Sequence, residues 1–265
     1  MEGYDSHMSK ETTLKNKILF LGYSDSETKL INELRLNNYE VTTESGVIKD
    51  TRGFDYVISY GYRHVISKEV ILKSETPILN IHLSYLPYNR GSHPNFWAHF
   101  ENTPHGVSIH VIDEGIDTGP ILFQKYVNFE KSDNTFEKTY DKLRAEAEKL
   151  FLENLNQIFV TPLEVTPQRG IGSSHKTSDL PSEFLGWHSI ILEEIARLDS
   201  ISEDTQAKKL KIIDQIEQVR SVNNVNWMNL LRVVAVKSPK DLQKIVGQIR
   251  GNDESIFKLL KELGE

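Results

Sequence analysis

Three polar side chains, Asn80, His82 and Asp117, have the chemistry needed for acyl transfer. Asn80 and His82 are two residues apart at the end of an apolar run, so an extended strand projects both side chains from one face. Asp117 lies in an acidic loop, Asp113–Gly119, that could fold back over the same edge. An amide that donates a hydrogen bond, an imidazole that moves a proton and a carboxylate that orients the imidazole form a plausible acyl-transfer set.

Each of these features also has a simpler interpretation. The chain has 9 histidines, and a histidine without context is more often structural, but the strand-end position beside Asn80 favours a functional His82. The loop Asp113–Gly119 lacks the alternating ligands of an EF-hand, which excludes that calcium site. A plain hairpin turn stays possible, since Asp and Gly suit turns. The other histidines in this region, His64, His93, His99, His105 and His110, show no such context.

Composition narrows the class of protein. The chain has 265 residues with 31 basic and 38 acidic side chains, a net charge of -7, which argues against general affinity for nucleic acid. The absence of cysteine excludes disulfides, thiolate catalysis and thiolate-bound zinc. Neither a His-Glu-x-x-His metal motif nor a glycine-rich phosphate motif is present. No apolar run approaches the roughly 18 residues of a membrane span and no signal peptide is seen, so we expect a cytoplasmic protein without metal.

The order of elements predicts an α/β fold, a Rossmann-like, doubly wound and mostly parallel sheet. The predicted strands cover residues 17–23, a short stretch from 41, and residues 54–59, 77–81, 107–112 and 121–129. Helical spacing of apolar residues predicts helices over 26–37 and 135–158, and residues 168–181 are expected to form a long loop.

A helical tail follows. From about residue 190 we expect separate helices around 210–219, 227–234, 242–249 and 256–263, with Ser238-Pro239 as the start signal of the third. We therefore divide the chain into an expression remnant and lead-in at 1–16, a catalytic domain at 17–181 and a helical region at 182–265.

Several motifs resemble the folate-dependent formyltransferases. Asn80-Ile81-His82, the Leu-Pro and Arg-Gly that follow it, and Asp113–Gly119 occur in the order found in that family. The segments 59–64, 84–91 and 94–97 look more like the branch that acts on nucleotide-linked amino sugars. The resemblance covers residues 17–181 and implies N10-formyltetrahydrofolate as formyl donor.

The resemblance also implies roles for single residues. Asn80, His82 and Asp117 are expected to be catalytic, with Asn80 holding the oxyanion and Asp117 orienting the imidazole. The folate ring is expected against two backbone segments, Tyr62, Arg63, His64 and Val65 in one, and Ile112, Asp113, Glu114, Gly115 and Ile116 in the other. Expected substrate contacts are Tyr88, Asn89, Arg90, Phe96, Trp97, His175 and Lys176. Packing under the loop is an equal alternative for Phe96 and Trp97, and a surface loop is the simpler interpretation of His175 and Lys176.

The expected activity is formylation of a dTDP-linked amino-deoxy sugar, best matched by dTDP-4-amino-4,6-dideoxyglucose, for O-antigen (lipopolysaccharide) biosynthesis. Two alternatives stay open: a different acceptor such as glycinamide ribonucleotide, and a folate- or nucleotide-binding module without turnover. Methionyl-tRNA formyltransferases carry a basic C-terminal barrel, whereas this tail looks helical and the chain is acidic, which argues against tRNA. The tail either contributes to a homodimer or caps the core.

Overall fold

A computed structural model describes residues 16–159, 162–236, 251 and 253–262 of the chain. These residues belong to two compact units, one ending at Ile195 and one beginning at Ala196. The first unit is an α/β structure, and it contains every residue for which the sequence predicts a functional role. Residues 182–195, which the sequence analysis grouped with the helical tail, fall in this first unit.

The first unit is built on a six-stranded sheet. Its strands are β1 (Lys17–Gly22), β2 (Glu40–Glu44), β3 (Tyr56–Tyr60), β4 (Ile78–His82), β6 (Gly106–Val111) and β7 (Ile121–Tyr126), while β5 (Arg90–Gly91) and β8 (Ser174–His175) form a separate two-stranded pair. The order across the large sheet is β2-β1-β3-β4-β6-β7. Strands β1 to β4 run parallel, whereas β6 and β7 pair antiparallel. The predicted α/β fold with a mostly parallel sheet is confirmed.

Helices cover both faces of this sheet. The α-helices of the two units are α1 (Leu30–Leu36), α2 (Lys68–Lys73), α3 (Pro94–Phe100), α4 (Phe136–Glu153), α5 (Leu155–Ile158) and α6 (Ile191–Val236). In β1, Ile18 and Phe20 pack with residues of α1 and α4, whereas Leu19 and Leu21 pack with Val70 of α2. Because neighbouring side chains of a strand point to opposite faces, such a continuous apolar run needs cover on both sides.

Two details of the predicted elements are corrected. The expected helix 135–158 divides at Asn154 into α4 and α5, and its start is the N-cap of Thr135, whose hydroxyl accepts from the Lys138 N–H at 3.3 Å. The expected loop 168–181 contains the short strand β8, which pairs with β5 and so joins two loops of the site.

The second unit is helical. Residues 196–236 continue α6 without a break, so the two separate helices expected at 210–219 and 227–234 are one. Residues 253–262 are also helical, and the expected helix at 242–249 with its Ser238-Pro239 start lies outside the described residues. Among the described helices, none has both the length and the apolar character needed to cross a membrane.

Candidate active site

The structure brings Asn80, His82 and Asp117 together at the carboxyl end of β4. Asn80 Nδ2 donates to Asp117 Oδ1 at 3.1 Å, and His82 Nδ1 lies 3.6 Å from Asp117 Oδ2. The side chain of Asp117 is 15% exposed and that of His82 is 9% exposed. The loop between β6 and β7 therefore folds back over the strand end, as the sequence analysis expected. We call these three residues, with His110, the polar cluster.

His110 belongs to this cluster, which corrects the expectation from sequence that it has no functional context. It lies directly opposite Asn80 in the antiparallel register of β4 and β6, with Nε2 at 3.2 Å from Asn80 Nδ2 and 3.4 Å from Asp117 Oδ1. Its Nδ1 lies 3.0 Å from the Val111 carbonyl oxygen. Because a carbonyl oxygen only accepts, Nδ1 carries the proton, and in the neutral ring Nε2 is then an acceptor for the Asn80 amide. Only the strand pairing reveals this contact.

Asp117 is held as a carboxylate in a fixed position. Its backbone is left-handed, with φ of 51°, and Oδ2 accepts the Gly91 N–H at 2.8 Å. Burial alone would raise the pKa of Asp117, but the nearby His82 and the Gly91 N–H together hold this pKa below its ordinary value. The cluster therefore contains a buried negative charge that can stabilise a protonated imidazole.

Gly91 makes this arrangement possible. Its backbone φ is 86°, and a Cβ at this position would lie 2.3 Å from the His175 carbonyl oxygen. Any other residue would therefore clash with β8 and strain the backbone. A glycine here lets β5 and β8 approach closely enough to present the Gly91 N–H to Asp117.

Asn89 orients His82 and is not free to contact a substrate. Its carbonyl oxygen lies 3.0 Å from His82 Nε2, which must therefore donate. The Asn89 side chain is fully buried, and it donates to Thr103 Oγ1 at 2.7 Å and accepts from Ser173 Oγ at 3.0 Å. The prediction that the Asn89 side chain contacts the substrate is therefore corrected, because this side chain is buried and hydrogen-bonded within the protein. Because Nε2 donates its hydrogen to the Asn89 carbonyl oxygen, Nδ1 is the nitrogen of His82 that is left for proton transfer.

A cavity of about 460 Å³ lies on one side of the polar cluster. Asn80, His110 and Asp117 line it together with the nine residues of the two backbone segments expected to hold folate: Tyr62, Arg63, His64, Val65, Ile112, Asp113, Glu114, Gly115 and Ile116. We call it the first cavity. Two segments separated by about fifty residues in the chain thus form the walls of one site.

Another cavity borders His82. A cavity of about 290 Å³ is lined by Asn80, His82 and Asp117 together with Tyr23, His93 and Tyr140. Its residues His93, Pro94 and Tyr140 also line an adjoining cavity of about 480 Å³ that extends to Trp187. We call these the second and third cavities. The polar cluster is accessible from both the first and the second cavity.

Only some of the residues that the sequence predicts to contact the substrate line these cavities. His175 and Lys176 line the first cavity, and Phe96 lines the third although its side chain is fully buried. Trp97 is buried against His175, with ring centroids 3.9 Å apart. Trp97 therefore packs under the loop and does not stack on a ligand, which corrects its predicted substrate contact. Arg90 donates to Gln168 Oε1 at 2.7 Å, and Tyr88 lines none of the three cavities.

Gln168 is a second residue that the sequence analysis overlooked. Its Nε2 donates to the carbonyl oxygens of Asp117 and Gly119, each at 2.8 Å, while its Oε1 accepts from Arg90. Gln168 therefore joins the acidic loop to β5. Within the described residues, no group of three or more His, Asp or Glu side chains is arranged to hold a metal ion.

Known proteins share this architecture. The formyltransferase PseJ from Anoxybacillus kamchatkensis, solved with UDP-4,6-dideoxy-4-formamido-L-AltNAc and tetrahydrofolate, is 34% identical with a TM-score of 0.62 over 67% of this chain and 96% of that chain. A sugar N-formyltransferase from Shewanella sp FDAARGOS_354 has a TM-score of 0.54 at 20% identity, covering 64% of this chain and 83% of that chain. At that identity the second likeness shows the fold alone.

Curated relatives match a shorter region. The methionyl-tRNA formyltransferase of Thermodesulfovibrio yellowstonii is 34% identical over 118 residues, which are 44% of this chain and 37% of that protein. That of Agathobacter rectalis is 32% identical over 136 residues, 50% of this chain and 43% of that protein. The chain thus spans about two fifths of the length of these relatives. The formyl transferase family itself matches residues 16–155, more than half of the chain and including the whole polar cluster, so the protein belongs to the formyl transferase family.

Proposed function

We propose that the protein is an N-formyltransferase that moves a formyl group from N10-formyltetrahydrofolate to the amino group of a nucleotide-linked sugar. The observation that carries this proposal is the position of the polar cluster. Asn80 and Asp117 line both the first and the second cavity, so a donor and an acceptor can reach the same side chains from separate sides. Two-substrate transfer needs such an arrangement.

The first cavity suits the folate donor. Its volume of about 460 Å³ lies in the range of roughly 300–1,000 Å³ typical of small-molecule sites. Val65 is 80% exposed and Ile116 is 56% exposed beside it, so two aliphatic side chains are available to cover the faces of a flat ring. When bound there, the donor supplies a formyl group carried on a nitrogen atom.

The polar cluster can handle the proton and the charge of this reaction. The attacking amine must be neutral and lose a proton as its bond to the formyl carbon forms. His82 Nδ1 is free to take that proton, because Nε2 donates to Asn89 and Asp117 stabilises the imidazolium that results. The same proton can then pass to the departing folate nitrogen as its bond to the formyl carbon breaks.

Asn80 is the proposed donor to the formyl oxygen, where negative charge develops. Both amide hydrogens already point to protein partners, Asp117 at 3.1 Å and His110 at 3.2 Å. Stabilising the oxygen therefore requires one of these rather long hydrogen bonds to be exchanged for the substrate. Loss of such a donor in other enzymes costs about 3–4 kcal/mol of barrier.

The similarity to PseJ adds a UDP-linked acceptor to the dTDP sugar expected from sequence. PseJ was solved with a UDP-linked 4-formamido sugar, which supports the corresponding UDP-linked 4-amino sugar as the first substrate to test here. The dTDP-4-amino-4,6-dideoxyglucose expectation and its O-antigen role stay predictions.

A mass-spectrometric assay tests the proposal. The purified protein is incubated with N10-formyltetrahydrofolate and a panel of UDP- and dTDP-linked 3-amino and 4-amino sugars, with glycinamide ribonucleotide as the competing acceptor. A nucleotide sugar heavier by one formyl group is expected, and Asn80→Ala protein is the matched control. Exclusive formylation of glycinamide ribonucleotide would overturn the sugar assignment, and folate binding without any product would favour a binding module.

A further inference from the structure

The third cavity has an unusual lining for a site beside a polar cluster. Six of its side chains are aromatic or apolar rings: His93, Pro94, Phe96, Phe136, Tyr140 and Trp187. Three of them, His93, Pro94 and Tyr140, also line the second cavity, where His82 is accessible. A molecule whose reacting group lies beside His82 can therefore extend into the third cavity.

The third cavity also contains a partly exposed aromatic ring, that of Trp187. Its side chain is 40% exposed, while Phe184 and His93 support the ring with centroids at 4.9 Å and 5.3 Å. Its carbonyl oxygen accepts the Glu137 N–H at 2.8 Å, which anchors the backbone to the first turn of α4. A supported, half-covered indole is a rigid stacking surface rather than a core residue.

The third cavity is lined by one arginine and two carboxylates. Arg63 lines both the first and the third cavity, and it is close enough to Glu27 to interact with that carboxylate electrostatically. Glu137 also lines the third cavity, and His188 Nδ1 lies 2.8 Å from its carboxylate. Asp141 also lines this cavity, so the region near Arg63 is the favourable place for a diphosphate.

We propose that the third cavity is the nucleobase subsite of the acceptor, with the Trp187 indole as the stacking surface and Arg63 beside the diphosphate. This inference rests on the proposed function, since it assigns the end of the acceptor opposite the reacting amine. Trp187 lies outside residues 16–155, the part of the chain matched by the family.

Calorimetric titration of the full chain with UDP and with dTDP tests the subsite independently of turnover. Stacking of a base on an aromatic ring is commonly worth enough that Trp187→Leu should weaken nucleotide binding about tenfold. Trp187→Phe keeps an aromatic face and should stay within about threefold of the wild type. Leu185→Ala is the matched control, because Leu185 is 71% exposed in the same segment. Tetrahydrofolate binding should be equal in all four proteins and reports correct folding.

Two results would overturn the subsite: no binding of either nucleotide by the wild type, or equal binding by the wild type and Trp187→Leu. If Trp187→Leu fails to fold, Arg63→Gln tests the subsite instead. This variant should weaken binding of UDP more than binding of UMP, because UDP has the additional phosphate. Equal weakening of both nucleotides would contradict the placement of the diphosphate beside Arg63. The proposed function fails separately. If UDP binding depends on Trp187 but the protein formylates no amino sugar, the proposed function is wrong and the nucleobase subsite still stands.

Discussion

Two pairs of neighbouring histidines illustrate how the same side chain is used for different purposes. His82 and His110 have ring centroids 6.4 Å apart with Asp117 beside both of them. His99 and His105 lie closer, with centroids 4.2 Å apart, but their neighbours are the rings of Phe129 and Phe136. The first pair borders cavities, whereas the second pair, of which His99 belongs to α3, packs among aromatic rings.

The difference lies in the charged partner rather than in burial. Burial lowers the pKa of His99 to about 3, with a further contribution from His105, and burial lowers the pKa of His105 to about 4. Both rings are therefore neutral at neutral pH and cannot act as proton carriers. Beside His82, by contrast, the Asp117 carboxylate lies 3.6 Å from Nδ1 and places a negative charge next to the ring. A buried histidine thus becomes chemically useful here only where a carboxylate accompanies it.

Removing the imidazole from the first pair should have the largest effect. We expect His82→Ala to lower kcat by about a thousandfold, in keeping with the contribution of a positioned general base. His99→Leu, which alters the second pair and keeps a similar volume, should change kcat by less than about twofold. Single-turnover rates with the nucleotide sugar that the acceptor panel identifies compare the two variants. Equal losses would show that the two pairs do not differ in function.

Removing the charge from the first pair should have the next largest effect. Asp117→Asn keeps the size of the side chain but leaves His82 without its carboxylate, so we expect kcat to fall about a hundredfold. The pH profile of kcat/KM should change with it, because the substitution removes the negative charge that lies 3.6 Å from His82 Nδ1. Tetrahydrofolate binding by calorimetry is the control for folding. A pH profile like that of the wild type would mean that Asp117 has only a structural role.

Acidification should reveal the second pair through stability. In the folded protein the pKa values of His99 and His105 are lowered to about 3 and about 4, so below about pH 6.5 the unfolded chain binds more protons than the folded one. Stability is therefore full above about pH 6.5 and falls as the pH drops toward 4. From pH 8 to pH 5 each histidine should cost about 2 kcal/mol of unfolding free energy.

Urea unfolding of the wild type and His99→Leu at pH 8 and pH 5 measures this difference. The variant should lose less stability than the wild type, since one of the two groups no longer titrates. A wild-type stability that does not change over this interval would contradict the neutral, buried state assigned to the pair.

The smallest expected effect concerns the residue that holds His82 through Asn89. Ser173 Oγ accepts the Asn89 N–H at 2.9 Å and donates to Asn89 Oδ1 at 3.0 Å. Ser173→Ala leaves these buried groups unpaired, so the free energy of unfolding should fall by about 1–3 kcal/mol. A looser Asn89 carbonyl should lower kcat by about tenfold, because small displacements of a positioned base reduce the rate steeply. Ser178→Ala, at an exposed position of the same segment that lines none of the three cavities, is the matched control.

Much of the fold was predictable because it depends on local patterns. The apolar run of β1, the helical spacing in α4 and the serine- and glycine-rich segments between elements each depend on a few consecutive residues. The tail shows where this reasoning fails. Residues 210–219 and 227–234 looked like two helices, but no strong helix breaker separates them and α6 continues through both.

The sequence by itself determined the chemistry available to this protein: an amide and an imidazole two residues apart, and a carboxylate in a glycine-containing loop. Strand periodicity placed Asn80 and His82 at one end of β4, because alternation along a strand is a local property. The tertiary structure alone decided which other residues join them. His110 faces Asn80 through antiparallel pairing, and Asn89 and Gln168 contact His82 and Asp117 across loops. Such contacts depend on how distant segments pair, which no local pattern encodes.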